Sequence, residues 1–249
     1  SNISREELQR IVSFTDAHHI RVQYSPDMLG AKNIEVRSFL GLPLISVRKT
    51  KLDGWGKIIK AASDRVGALA LIVLTLPIMV VAAILVRLDS PGPVIYLNER
   101  VGKRGRKFYA YKFRSMFIEY CTGAQYAGEK AMELELELAR EKSARKGPVF
   151  KILNDHRRTR VGRFIERYSI DELPQLFNVL KGDMSLVGPR PHMPVQVKEY
   201  EGLHPTLFLV RPGITGLAQI EGRSDLDFDD EVRFDQFYIE NWSLLLDAI

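Results

Sequence analysis

Two adjacent carboxylates, Asp171 and Glu172, are the residues whose types and surroundings most favour chemistry in this chain. The preceding segment, residues 156–170, carries five arginines and a single acidic residue. A rigid Gly-Pro-Arg-Pro segment follows at 188–191 and presents Arg190. Carboxylates among so much positive charge indicate a site that binds phosphate groups.

The helix that follows the pair can begin in two ways. Apolar residues at helical spacing between 173 and 180 predict a short helix. With Ser169 as N-cap, Glu172 would complete a capping box, but Pro174 would lie inside the helix. With Asp171 as N-cap, Pro174 falls in the first turn, where no donor is lost, and we prefer this start. The helix dipole would then keep Asp171 ionised, as attack on phosphorus requires, although capping alone is the simpler interpretation.

Four side chains complete the predicted phosphoryl-transfer site around Asp171. Glu172 offers an oxygen ligand suited to Mg²⁺, which binds one or two carboxylates together with substrate phosphate oxygens. Arg190 can hold a phosphate through two parallel hydrogen bonds. Lys112 and Arg114 share one face of a predicted strand. Each cation alone is usually a solvated charge, but together they indicate an electrostatic clamp.

Asp225 and Asp227 form a second acidic pair with Asp-X-Asp spacing. In many glycosyltransferases such a pair holds the metal and the nucleotide. Because the spacing is frequent by chance, we favour an exposed acidic loop before a predicted helix at 232–242.

Residues 66–86 form a run of 21 residues without a charge, about 32 Å long as a helix. A core helix is rarely apolar on every face over this length, so the run predicts membrane insertion. Lysines and arginines flank both ends, which marks both ends as cytoplasmic. Pro77 lies in the middle and removes a helix hydrogen bond. From the residues alone, a re-entrant helix-break-helix hairpin and a kinked spanning helix are equally supported.

The net charge of +5 and the sequence pI of about 9.2 favour an anionic partner, such as phosphate-bearing substrates or a membrane surface. The single cysteine, Cys121, excludes an intrachain disulfide and is typical of a reducing compartment. No recognised nucleic-acid-binding module occurs, so we do not expect nucleic acid as a partner.

The predicted fold class is α+β and mostly helical, with a membrane-associated catalytic domain preceded by an α/β fragment. Residues 1–50 form the fragment, with a helix capped by Ser4 and Glu7. Its predicted strands cover 19–24, 34–40 and 44–47.

Residues 51–249 form the predicted second domain. After the apolar run, strands at 94–99 and 107–115 predict a small β-hairpin. The composition of residues 129–146 favours an exposed helix, although their alternation also fits a strand.

Several blocks in order resemble the bacterial monotopic phosphoglycosyl transferases, also called the bacterial sugar transferase family. The resemblance covers about residues 50–249, and residues 31–56 resemble the end of the Rossmann-like domain of longer members. Many members carry a basic residue at position 166, where this chain has Glu166. The matching features are the run with Pro77, Tyr-Lys-Phe-Arg-Ser-Met at 111–116, Thr-Arg-Val-Gly-Arg at 159–163, the Asp-Glu-Leu-Pro-Gln block, Gly-Pro-Arg-Pro at 188–191 and residues 211–219.

The resemblance implies a two-step reaction. Asp171 would attack the sugar-linked phosphorus of a nucleoside diphosphate sugar and expel the nucleoside monophosphate. The covalent intermediate would then pass its phosphosugar to a polyprenyl phosphate. Glu172 would bind Mg²⁺ or steady the pair, and Arg190 would hold phosphate. The other implied substrate-binding residues are Lys112, Arg114 and Arg211.

The resemblance also implies a location and a role. A re-entrant helix broken at Pro77 would place the site on the cytoplasmic face of a bacterial inner membrane, in contact with membrane lipids, which favours the hairpin. UDP-glucose or UDP-galactose is the expected donor, and exopolysaccharide, capsule or O-antigen assembly the expected role. The residues do not specify the sugar, and a homodimer through the N-terminal segment is compatible with them.

Two other functions remain as alternatives. A membrane-bound glycosyltransferase that moves the sugar alone would release UDP, whereas a phosphoglycosyl transferase releases UMP. A non-catalytic membrane protein would bind phosphate without releasing either nucleotide.

Overall fold

The computed structural model describes most of the chain but not residues 1–33, so the predicted helix at Ser4 and the strand at 19–24 lie outside the described residues. The chain divides into two compact units, 1–48 and 49–249, which we describe separately. The described ranges are 34–39, 42–47, 50–52, 54–123, 125–143, 149, 152, 155–200, 204–222 and 226–248.

In the first unit, strands β1 (Ile34–Phe39) and β2 (Leu42–Val47) form an antiparallel hairpin. The register pairs Ile34 with Val47 at the open end. Both strands predicted in this part of the chain are therefore confirmed, with small differences at their ends.

The second unit begins with helix α1 (Trp55–Asp89), which is about 52 Å long and contains the whole charge-free run. This confirms the predicted apolar helix. Only 17% of its most apolar window is buried against the rest of the protein. A core helix of a soluble protein would be covered on most sides, whereas this helix is largely uncovered and is long and apolar enough to cross a membrane. The buried stripe consists of Lys60, Asp64, Ala68, Ile72, Met79, Ala82 and Val86.

Pro77 lies inside α1, and a single helix covers both sides of it. The predicted division into two helices at this residue is therefore not confirmed. Two features nevertheless weaken the helix here. Pro77 has no N–H to donate to the preceding turn, and the Thr75 hydroxyl donates to the Leu71 carbonyl at 2.7 Å. Both a missing donor and such a hydroxyl bond favour a local bend.

Both ends of α1 are fixed to the same unit. Near its start, Asp64 accepts a hydrogen bond from Ser185 Oγ at 2.7 Å. At its end, Asp89 accepts one from the Val161 N–H at 2.9 Å, at the positive end of another helix. The two ends of the apolar run therefore lie against one globular body.

After α1, strands β3 (Ile95–Val101) and β4 (Lys107–Phe113) form the predicted antiparallel hairpin. The described residues contain three two-stranded sheets, and helices dominate the rest. The structure is thus a mostly helical α+β unit with one long apolar helix. The remaining elements are α2 (Gly128–Lys142), α3 (Arg160–Arg167), α4 (Gln175–Lys181), β5 (Ser185–Val187), α5 (Pro194–Tyr200), β6 (Gly213–Thr215), α6 (Leu217–Glu221) and α7 (Phe228–Asn241).

Helix α4 is joined to strand β4 by the side chain of Asn178, which is fully buried. Its Oδ1 accepts a hydrogen bond from the Tyr111 N–H at 2.9 Å, and its Nδ2 donates to the Tyr109 carbonyl at 2.7 Å. The amide thus satisfies the edge of β4 as a neighbouring strand would. This contact fixes α4 beside Lys112, which follows Tyr111 on the strand.

Arg114 is 1% exposed and lies directly after β4. Its Nε donates to the Pro93 carbonyl at 2.7 Å, and its Nη2 donates to the Ser90 carbonyl at 2.9 Å. Its Nη1 donates to Ser90 Oγ at 2.6 Å. Arg114 therefore holds the loop that follows α1 against the hairpin.

We expect Arg114→Met to lower the free energy of unfolding by about 3 kcal/mol, because three acceptors in the loop lose a charged donor. The control Arg140→Met removes an exposed charge on α2 and should change it by less than about 0.5 kcal/mol. Denaturant unfolding in detergent measures both values. Equal losses in the two variants would contradict the role of Arg114.

Candidate active site

Asp171 and Glu172 lie in a short 3₁₀ turn, Ile170–Glu172, between α3 and α4. Ser169, just before the turn, has a left-handed φ of 56° and caps no backbone group with its side chain. The prediction that Asp171 is the N-cap of the following helix is wrong. Pro174, which has no N–H, occupies the N-cap position of α4, so Asp171 lies one turn earlier.

Lys112 of β4 lies between the two carboxylates. Its Nζ is 2.6 Å from Glu172 Oε1 and 3.5 Å from Asp171 Oδ2. The structure therefore brings together three of the residues that the sequence analysis placed in one site. The contact with Glu172 is the shorter one, so the ammonium group is shared unequally.

The two carboxyl groups differ in their affinity for a proton. Burial raises the pKa of Asp171 to about 6, although the Lys112 charge acts against it and the negative charge of Glu172 adds to it. Burial also acts to raise the pKa of Glu172, but the hydrogen-bonded Lys112 outweighs it and the pKa is lowered. Burial and Lys112, not the predicted helix dipole, therefore set the ionisation of the pair.

The pair lines a cavity of about 970 Å³ whose wall combines charged and apolar side chains. Lys112, Arg158 and Arg190 bring positive charge to it. Leu71 and Thr75 of α1 also line it, together with the apolar residues Leu173, Leu176, Ile214 and Ile220.

Two arginines of the cavity were not assigned individually from the sequence. Arg157 is buried and paired with Asp155, with Nη2–Oδ2 at 2.7 Å. Arg158 is half-buried, and its Nε is 2.7 Å from Glu166 Oε2. The only sequence signal for them was the density of arginines before the pair.

Glu166 replaces the basic residue that many members of the resembling family carry. Its second oxygen, Oε1, accepts a hydrogen bond from Ser115 Oγ at 2.6 Å. Held in this way, Glu166 orients Arg158 along the cavity wall. The positive charge at this point of the site thus comes from Arg158.

Arg190 lines the cavity with an exposed side chain, and its backbone is held from behind. Its backbone N–H donates to Asp235, whose burial raises the pKa of that carboxyl to about 8. A Cβ on Gly188 would lie 2.7 Å from the Arg211 carbonyl oxygen, so only glycine allows this close packing. The turn that carries Arg190 is therefore rigid.

The structure separates two predicted substrate-binding residues from the pair. Arg114 is committed to the loop after α1 and does not line the cavity. Arg211 lines a different depression, on the side of α1 where the helix begins. Of the second acidic pair, Asp225 lies outside the described residues, and Asp227 occupies the N-cap position of α7 without lining the cavity.

Within the described ranges, no group of three or more His, Cys, Asp or Glu side chains could hold a metal ion. The Lys112 ammonium group, in contact with Glu172 Oε1, balances the negative charge of Glu172. One carboxylate fits a Mg²⁺ ion that takes its other ligands from phosphate and water, as Mg²⁺ commonly does. The residues therefore fit an ion bound together with a phosphate-bearing substrate.

Comparison with known proteins gives consistent matches. The model of the family "Bacterial sugar transferase" matches residues 55–249. A "UDP-galactose-lipid carrier transferase" of Erwinia amylovora is 43% identical over 188 residues, covering 76% of this chain and 38% of the relative. An "Undecaprenyl-phosphate galactose phosphotransferase" of Salmonella typhimurium is 39% identical over 226 residues, covering 84% of this chain and 45% of the relative.

A third relative covers nearly the whole chain. It is a "UDP-glucose:undecaprenyl-phosphate glucose-1-phosphate transferase" of Xanthomonas campestris, 34% identical, and the match covers 98% of this chain and 48% of the relative. The chain thus spans less than half the length of these three relatives. The range that the family model matches includes the blocks around Asp171, and the chain belongs to the bacterial sugar transferase family.

Proposed function

We propose that the protein transfers a sugar 1-phosphate from a nucleoside diphosphate sugar to a polyprenyl phosphate, with Asp171 as the nucleophile. The observation that carries the proposal is the cavity: its wall combines a buried carboxylate with a pKa of about 6, several cations, and apolar residues that include Leu71 of α1. The names of the relatives include lipid carriers and undecaprenyl phosphate, which supports such an acceptor.

In the first step, a carboxylate oxygen of Asp171 bonds to the sugar-linked phosphorus. The bond from that phosphorus to the bridging oxygen breaks, and the nucleoside monophosphate leaves with the electron pair. Lys112, Arg158 and Arg190 are placed to stabilise the charge on the phosphoryl oxygens. An aspartate with a pKa of about 6 is mostly ionised at pH 7, as the attack requires.

In the second step, an oxygen of the polyprenyl phosphate attacks the same phosphorus. The bond to Asp171 breaks, and the carboxylate is regenerated without a net proton transfer. Apolar residues such as Leu71 and Ile220 provide a surface along which the hydrocarbon chain can lie while its phosphate reaches Asp171.

We also propose that Glu172 is the protein ligand of a Mg²⁺ ion that binds with the donor diphosphate. The ion would neutralise phosphate charge when bound. Lys112, with its Nζ 2.6 Å from Glu172 Oε1, holds this carboxylate in place.

For the membrane, we propose that α1 enters and leaves by the same face. Its two ends are hydrogen-bonded to one globular body through Asp64 and Asp89. A straight crossing would place the two ends on opposite sides of the membrane and would break one of these hydrogen bonds. Lysines and arginines at both ends support a cytoplasmic location for each. The bend would lie near Pro77.

The wider assignments are proposals of the same kind. UDP-glucose or UDP-galactose would be the donor, and the product would begin exopolysaccharide, capsule or O-antigen assembly. Residues 1–50 would be the end of a Rossmann-like domain. The alternative glycosyltransferase finds less support, because Asp227 does not line the cavity.

Incubation with a UDP-sugar radiolabelled in the sugar, without acceptor, should leave label on the denatured protein. Asp171→Asn should retain no label, because an amide cannot form the acyl phosphate. The control Asp229→Asn, an exposed change on α7, should label like the wild type. An active preparation that releases UMP without trapped label would contradict the covalent route, and release of UDP would favour the alternative transferase.

The kcat/KM for the donor should rise with pH through about 6, because only ionised Asp171 attacks. Lys112→Met should move this rise to higher pH, since the Lys112 charge lowers the pKa of Asp171. Glu172→Gln should move it to lower pH, since the Glu172 charge raises that pKa. The measurement is the pH profile of each variant, and shifts in the same direction would contradict the assignment.

Topology can be tested with single cysteines in a Cys121→Ser background. Lys51→Cys and Arg106→Cys, on either side of the apolar run, should both react with a membrane-impermeant maleimide in inverted vesicles only. Val73→Cys, within the run, is the unreactive control. Reaction of either flanking cysteine from the outside of intact cells would reject the re-entrant arrangement.

A further inference from the structure

A second depression, of about 360 Å³, lies where α1 begins and is separate from the cavity at Asp171. The linings of the two share only Val187. Seven lysines and arginines line it, against two aspartates. We name its rim the cationic basin, which consists of Lys57, Lys103, Arg104, Arg106, Lys107 and Arg211.

The floor of the depression is electrically compensated. Lys60 is buried, and its Nζ lies 2.8 Å from Asp64 Oδ1 and 2.9 Å from Asp247 Oδ2. Asp247 also accepts a hydrogen bond from the Tyr238 hydroxyl at 2.7 Å. The positive potential therefore comes from the rim and not from the floor.

Most of the rim has no such compensation. Lys107 forms an exposed ion pair with Glu99 at 3.3 Å, which contributes little. Among the described residues, no carboxylate lies within ion-pair distance of four further basin residues, Lys57, Arg104, Arg106 and Arg211.

A further guanidinium group lies beside the basin, near Gly182, which also lines the depression. The Nη2 atoms of Arg211 and Arg65 each lie 3.5 Å from the position that a Cβ would take on Gly182. Arg65 therefore adds its positive charge to that of the basin residues.

The backbone of the basin is also unusual. Arg104 has a φ of 60° and is one of two non-glycine residues with positive φ in the described part of the chain. The other is Ser169, which directly precedes the Asp171–Glu172 pair. A left-handed conformation is unfavourable for arginine, and such residues cluster at functional sites.

On the topology proposed above, the basin lies at the level where α1 meets water. Lys57 and Lys60 belong to the first turns of α1, just before the charge-free run. Trp55 is 78% exposed and Ile58 is 58% exposed, and such side chains lie at membrane interfaces. An anion held here would be at the depth of lipid headgroups.

We propose that the cationic basin binds the phosphate of an anionic phospholipid of the surrounding leaflet. The phosphate would lie between Arg211 and the Arg104–Arg106 turn, with its acyl chains along the start of α1. Bound in this way, the lipid would join the β3–β4 turn to the helix. The proposal requires α1 to be in a membrane but does not depend on the phosphosugar reaction.

The test is the melting temperature of the protein in dodecyl maltoside micelles containing dioleoyl-phosphatidylglycerol, with dioleoyl-phosphatidylcholine at the same mole fraction for comparison. We expect phosphatidylglycerol to raise Tm by about 3 °C or more and phosphatidylcholine to leave it unchanged. Inorganic phosphate and glycerol phosphate are the tail-free arms. A full shift with either would show a free-phosphate site and overturn the lipid proposal.

The decisive variant is Arg104→Gly with Arg106→Gln. Because glycine accepts a φ of 60° without strain, this variant should not lower the lipid-free Tm, yet it should lose the phosphatidylglycerol shift. Lys130→Gln with Arg140→Gln removes two exposed charges of α2 and should keep the shift.

A full shift in the basin variant, or its loss in the control pair, would overturn the proposal. Covalent labelling of Asp171 should be unchanged in the basin variant. Failure of that labelling in the wild type would count against the phosphosugar reaction and leave the lipid shift intact, so the two proposals fail separately.

Discussion

The buried amide of Asn178 fixes the geometry on which the site depends. It joins the helix that follows the carboxylate pair to the edge of the strand that carries Lys112. A shift of that helix along the strand would leave two partly buried backbone groups without these partners, which is unfavourable. The hydrogen bonds between the Asn178 amide and the backbone of β4 thus set the separation between Lys112 and the carboxylates. The position of the lysine does not depend on its flexible side chain alone.

Placing two carboxylates side by side in a buried turn would be unfavourable without this lysine. The Lys112 ammonium group reduces the repulsion between the two carboxylates. It contacts them unequally, with a short contact to Glu172 and a longer one to Asp171. Glu172 is held ionised, whereas Asp171 keeps a raised pKa and makes few strong contacts. On the proposed function, the less strongly paired Asp171 is the nucleophile, and Glu172 is the carboxylate that Lys112 holds in place.

Periodicity and residue type predicted the elements that local sequence dictates: the apolar helix, the β3–β4 hairpin and the helix at Gly128–Lys142. They also selected Lys112, Asp171, Glu172 and Arg190, which the fold brings to one cavity. Spacing could not show that Pro174 takes the N-cap position or that burial controls Asp171, because both depend on tertiary packing.

Arg114 illustrates the same limit. It shares strand parity with Lys112, but the chain leaves the sheet at Phe113, so its side chain turns into the loop after α1. Arg158 and Glu166 show the opposite case. Neither belongs to a distinctive sequence pattern, yet tertiary packing brings them together as an ion pair in the cavity wall. Which of several neighbouring charged residues lines the cavity depends on tertiary packing, so sequence spacing alone cannot predict it.

The attachment of both ends of α1 to one body has a consequence for the choice of membrane. A spanning helix must match its apolar length to the distance between two interfaces, and a mismatch tilts the helix or deforms the lipid. A helix that enters and leaves by one face meets a single interface, and the globular body sets its depth. On the proposed topology, the working geometry of the site would be independent of bilayer thickness, and the same chain could operate in membranes of different acyl length.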